Sequence, residues 1–202
     1  MSLWRIHTRT DFVNEDVCEY CIKNNVAVLG WSLNDKQVEA YLKKNEMSME
    51  EFSSLRNSID SEEKYKDLAS KVFAKFSSVE RLMKVEENDL IWMRGKGKYY
   101  LARVGKDSKW VFNKGEKERI NDIANQLTNI QWFPASSTAD ESAVPGAVTT
   151  AFIKGSAFQK IKNTYVEDYS KLLYNELSED YKYSDVFLTN CMSSFFSLLQ
   201  PS

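Results

Sequence analysis

The period of the apolar positions changes along the chain. Short stretches of alternating, β-branched or aromatic residues predict strands at Leu3 to His7, Val26 to Trp31, Leu90 to Met93, Tyr99 to Val104, Trp110 to Phe112 and Ile130 to Phe133. Between the first two, Val17, Cys21 and Ile22 stand near helical spacing. With Asn14 as a candidate cap ahead of Glu15 and Asp16, they predict a helix over Asn14 to Lys23. The stretch from Asp35 to Met83 holds no glycine or proline and predicts two or three helices. In the last of these, Leu68, Val72, Phe76 and Val79 mark a buried face. Glycine is concentrated between Gly95 and Gly155, where Gly95-Lys96-Gly97 reads as a two-glycine hairpin turn and Ala135 to Gly146 as a polar loop. The expected fold is therefore α+β: a small, mostly antiparallel β-barrel or compact sheet with helices packed on it. Beyond Ile161 the pattern turns helical again, with Leu172, Leu173 and Leu177 and then Phe187, Phe195 and Phe196. This predicts a recognition domain over 1–162 and a helical appendage over 163–202. The apolar finish of the appendage is expected either to dock on the body, to pair two copies, or to lead into a further domain.

Composition narrows the classes of function. A chain of 202 residues buries a core without disulfides or metal, and its 13% of aromatic residues, 5 Trp and 10 Tyr among them, needs a home in core or site. No apolar run reaches the roughly 18 residues of a membrane span, and Met1 to Thr10 lacks the apolar heart of a signal peptide, so a cytoplasmic protein is expected. Cys18, Cys21 and Cys191 are read as reduced thiols. Cys18 and Cys21 have the spacing of a redox or zinc motif, but they fall inside a predicted helix and lack further ligands, so they are expected to pack as small hydrophobes. No metal or cofactor is expected. His7 is the only histidine, and no nucleophile elbow, P-loop or dinucleotide fingerprint accompanies it. An enzyme is accordingly not expected, and any catalysis would belong to a fused or partner domain.

Charge is near balance overall, at −2, but it is uneven. Between Arg94 and Arg119 stand Arg94, Lys96, Lys98, Arg103, Lys106, Lys109, Lys114, Lys117 and Arg119, against only Asp107, Glu116 and Glu118. Beside Tyr99, Tyr100 and Trp110, these side chains have the makings of one basic face carrying phosphate-contacting cations and stacking rings. A solvated hairpin edge guarded by lysines gives the same composition. The five tryptophans all fall on or next to predicted strands. A pocket lined by two or three of these rings, with polar neighbours such as Ser32, Asn34 or His7 reading the edge of a flat base, is the sharpest candidate site.

The segment Phe76 to Val104, FSSVERLMKVEENDLIWMRGKGKYYLARV, resembles EVE and YTH-like domains of the PUA superfamily. There a helix leads to an Asp-apolar-apolar strand, a Gly/Lys turn and a returning strand. Trp4-Arg5-Ile6-His7 and Val28-Leu29-Gly30-Trp31 are similar to the opening strands of such modules, which occur fused to Mrr-like restriction nucleases. Ile130-Gln131-Trp132, Val144-Pro145-Gly146 and Phe152-Ile153-Lys154-Gly155 are similar to their closing half. The resemblance covers residues 3 to 162. It implies a reader of modified or flipped bases, the specificity part of a restriction or defence protein. Trp31 and Trp92 would be its pocket walls, and Arg94, Lys96 and Lys98 its phosphate contacts, with Arg103 and Lys109 extending the basic face. DNA is the expected partner, with a nuclease fused or in attendance. The competing expectation is a protein-interaction domain that uses the apolar tail and an aromatic pocket.

Overall fold

A computed structural model describes residues 1–8, 16–30, 48–57, 77–95, 97–135, 144–153 and 155–184, together with Glu39 and Lys43. In chain order its elements are β1 (Leu3–His7), α1 (Val17–Asn24), β2 (Val26–Leu29), α2 (Met49–Asn57) and the helical residues 77–82, designated α3. There follow β3 (Leu90–Gly95), β4 (Lys98–Arg103), β5 (Trp110–Phe112), α4 (Glu116–Ile120), β6 (Asn125–Thr128), β7 (Trp132–Pro134), α5 (Gly146–Ala151), β8 (Phe158–Lys160) and α6 (Thr164–Leu177).

Local chemistry sets the helix ends. The Asp16 carboxylate caps α1 by accepting from the Glu19 amide at 3.0 Å, and Asn25 closes it in the left-handed conformation at φ 52°. The cap is thus Asp16 rather than Asn14. Ser48 and Glu51 form a reciprocal capping box at the start of α2, with bonds of 3.0 and 3.2 Å. This helix drives Phe52 into full burial against Trp110 and Phe112, with ring centroids 4.9 and 5.4 Å away. Asn163 caps α6 by accepting from the Val166 amide at 3.2 Å.

The strands make two sheets, one ordered β7-β4-β3-β1-β8 and the other β2-β6-β5. Among the described residues only β1 and β3 pair in parallel, so the expected antiparallel character and packed helices are found. The expected barrel is not. The five-stranded sheet ends on β7 and β8 and the three-stranded sheet on β2 and β5, and neither closes. The reason lies where the chain passes between sheets. Asn129, at φ 57°, turns it out of β6, and β7 then pairs with β4. At that seam β7 and β2 share no ladder. The Ile130 amide donates to the Asn25 carbonyl at 2.8 Å, and the Trp132 indole N–H donates to the Val26 carbonyl at 2.8 Å. The open edges are blunted in the same way: β7 ends on Pro134, and the Phe158 carbonyl of β8 accepts from Arg81 and Ser156.

Alternation along the strands then divides the core in two. Ile6, Ile91, Met93 and Ala102 face the small sheet and helices α1 to α3. Leu3, Leu90, Trp92, Tyr99 and Leu101 form the other face, covered by α5 and α6 through Val148, Val166 and Tyr174. Asp89, 2% exposed, fastens the first strand to the third by accepting from the Ser2 amide and from the Trp4 indole N–H, the latter at 2.8 Å. No helix among the described residues is long and apolar enough to cross a membrane.

Candidate functional site

The parallel register of β1 on β3 sets Arg5 opposite Trp92 and His7 opposite Arg94, and the β3–β4 hairpin sets Arg94 opposite Tyr99. All of these side chains share the face that carries Leu3 and Leu90. At its Leu3–Leu90 end Arg103 is the register partner of Leu90, whereas its His7–Arg94 end gathers Arg94, an imidazole and several rings, with Arg5 one step inward.

Arg5 is fully buried. Its Nη2 donates to Oε1 of Gln159, its register partner on β8, at 3.0 Å, and its guanidinium lies 5.7 Å from the centre of the Phe152 ring. Burial lowers its pKa to about 10, so it remains a cation at neutral pH. Gly155 is what allows the approach. A Cβ there would stand 2.0 Å from Gln159 Oε1 and 2.7 Å from Arg5 Nη2, and the backbone sits at φ +117°.

His7 Nε2 lies 3.0 Å from the Phe152 carbonyl oxygen; a carbonyl only accepts, so that bond requires the proton on Nε2. The His7 ring also meets Phe152 edge-on at 5.6 Å. Arg94 is half-buried, with its guanidinium 5.4 Å over the Tyr99 ring and its carbonyl accepting from the Thr8 hydroxyl at 2.9 Å. Tyr99 in turn packs edge-on against Trp92 and Phe152. Beyond Arg94 the hairpin turns at Gly97, φ +75°, and Lys98 stands exposed at its tip. The turn end of this hairpin is seated on α1: a Cβ on Gly95 would fall 2.3 Å from Cys18 Sγ.

The residues expected from sequence fare differently. Trp92 is fully buried, and its indole N–H donates to Ser170 Oγ of α6 at 3.0 Å, so it offers no face to a ligand. His7 stands at the sheet end just described. Trp31, Ser32, Asn34 and Lys96 lie outside the described residues. Gly30, which leads into Trp31, is closely held: its carbonyl accepts from Asn125 Nδ2 at 2.5 Å, and the Asp122 carboxylate leaves no room for a Cβ. Of the basic residues, Arg94 and Lys98 belong to the site. Arg103 is at the opposite end of β4, five residues from Lys98 and thus roughly 17 Å along the strand. There it donates to Asn88 Oδ1 at 2.9 Å and lies 4.0 Å over the Tyr181 ring. Lys109 is exposed beside that same end, where its carbonyl accepts from the Thr128 amide and hydroxyl. Arg94 and Lys98 thus lie apart from Arg103 and Lys109, and the basic stretch is not one face.

Arg5, Gln159 and Phe152 were not singled out by sequence reading. A charged residue in the middle of the LWRIH strand was the one available signal. Cys18 and Cys21 are both buried, and burial raises the Cys21 thiol well above its usual range. Among the described residues no group of His, Cys, Asp and Glu is placed to hold a metal. Comparison of the chain with protein-family models and with curated proteins finds no match.

Proposed function

We propose that this chain is a nucleic-acid recognition module whose contact surface is the His7–Arg94 end of the five-stranded sheet and the hairpin beyond it. One observation carries the reading: half-buried Arg94 is set over the Tyr99 ring opposite His7 in the register, with exposed Lys98 at the tip. A guanidinium held over a ring loses little freedom on meeting a phosphate, and its planar fork suits phosphate oxygens. Arg94 and Lys98 are the phosphate contacts in this reading. The likeness of Phe76 to Val104 to EVE and YTH-like readers supports a modified or flipped base in DNA as the group read. It also supports a place as the specificity part of a restriction or defence protein, with catalysis in a fused or partner domain. Base stacking would supply about 1–3 kcal/mol, and edge hydrogen bonds the discrimination.

The test is fluorescence anisotropy with short duplexes, unmodified or carrying 5-methylcytosine, 5-hydroxymethylcytosine or N6-methyladenine, at low and moderate salt. The expected result is salt-sensitive binding, tighter on one modified duplex and lost in the Arg94→Glu, Lys98→Glu double variant. Absence of binding to every duplex at low salt would overturn the reading.

A further inference from the structure

We draw no further inference here: the strongest candidate, the open cleft between the end of β8 and the start of α6 lined by Lys160, Lys162, Asn163, Thr164 and Glu167, rests on a helix N-terminus and surface lysines, with no buried polar side chain among the described residues aimed into it.

Discussion

Replacing Trp92 separates a core tryptophan from a ligand-binding one. The ring is fully buried, packs edge-on to Tyr99 at 6.5 Å between centroids, and donates its N–H to Ser170 Oγ. Trp92→Ala leaves a cavity under α6 and is expected to cost about 3–5 kcal/mol. At about 2–4 °C per kcal/mol for a chain of this size, that lowers Tm by roughly 6–20 °C. Trp92→Phe keeps most of the bulk and removes the donor. Ser170 still donates to the Val166 carbonyl at 2.7 Å, so only an acceptor is left idle, and the cost is about 1–2 kcal/mol. A double-mutant cycle of Trp92→Phe with Ser170→Ala, read by urea denaturation, should return a coupling of about 0.5–1.5 kcal/mol. Affinity of the Trp92→Phe variant for any duplex the protein binds should stay within twofold. Zero coupling, or lost binding at unchanged stability, would refute the placement of this ring in the core.

The remaining predictions concern the connector, the hairpin and α1. Gly155→Ala meets both the Gln159 side chain and an unfavourable φ, and should destabilise by about 1–3 kcal/mol in chemical denaturation; a neutral result would show that the Arg5–Gln159 contact is not held as described. If Arg94 and Lys98 meet B-form DNA, neutralising both as Gln should reduce the slope of log K against log salt by about two units, while Lys109→Gln leaves it unchanged. Equal effects would mean that Arg94, Lys98 and Lys109 act as one surface. Burial raises the Cys21 pKa, so above the ordinary thiol value of 9.0 the unfolded chain releases that proton first. Stability should then fall by about 1.4 kcal/mol per pH unit from this group, a component that Cys21→Val removes; identical pH profiles for the two proteins would exclude a buried thiol.

The sequence was legible where one local rule sufficed. The strands at Leu3 to His7 and Trp110 to Phe112 and the glycine hairpin all carry their own pattern, and they sit within a residue or two of where they were expected. Strand β6, Asn125–Thr128, was missed because its sequence, NQLT, offers one apolar residue. It forms because β2 and β5 supply ladders on both sides, a tertiary cause with no local signature. Strand β8 has three residues and was likewise invisible. Phe152 and Ile153, from the segment similar to the closing half of those modules, follow α5, and the strand begins at Phe158. The barrel failed for a related reason. Closure depends on hydrogen bonding between β7 and β2, and alternation says which face of a strand is buried but not which strands share a ladder. The candidate site was half legible. Arg94 and Lys98 stood out by charge, but Arg5 acquires its setting only from the β1–β3 register and from Gln159, 154 residues away.

Arg94 and Arg103 show why a charge cluster in sequence is a poor map of a surface. They lie nine residues apart in one basic stretch, and both end on an aromatic face. Yet β3 carries Arg94 to the His7 end of the sheet, while β4 returns Arg103 to the end where Asn88 and the chain after α6 close over it. Tyr181 covers the Arg103 guanidinium, and Tyr183 anchors beside it by donating to the Asn88 carbonyl at 2.8 Å. Losing Arg103 therefore strips a packed cation from its ring and an acceptor from its donor, which is a cost in stability. Losing Arg94 uncovers Tyr99 and removes charge from the hairpin surface. Arg103→Ala should lower stability by about 1–3 kcal/mol and leave DNA affinity at low salt nearly unchanged, whereas Arg94→Ala should weaken DNA binding at low salt by more than its loss of the Tyr99 contact lowers stability. Thermal melts and anisotropy on the same two variants decide it. If both substitutions weaken binding without touching stability, the basic stretch is one face after all, and the separation of ends along β4 has no functional meaning.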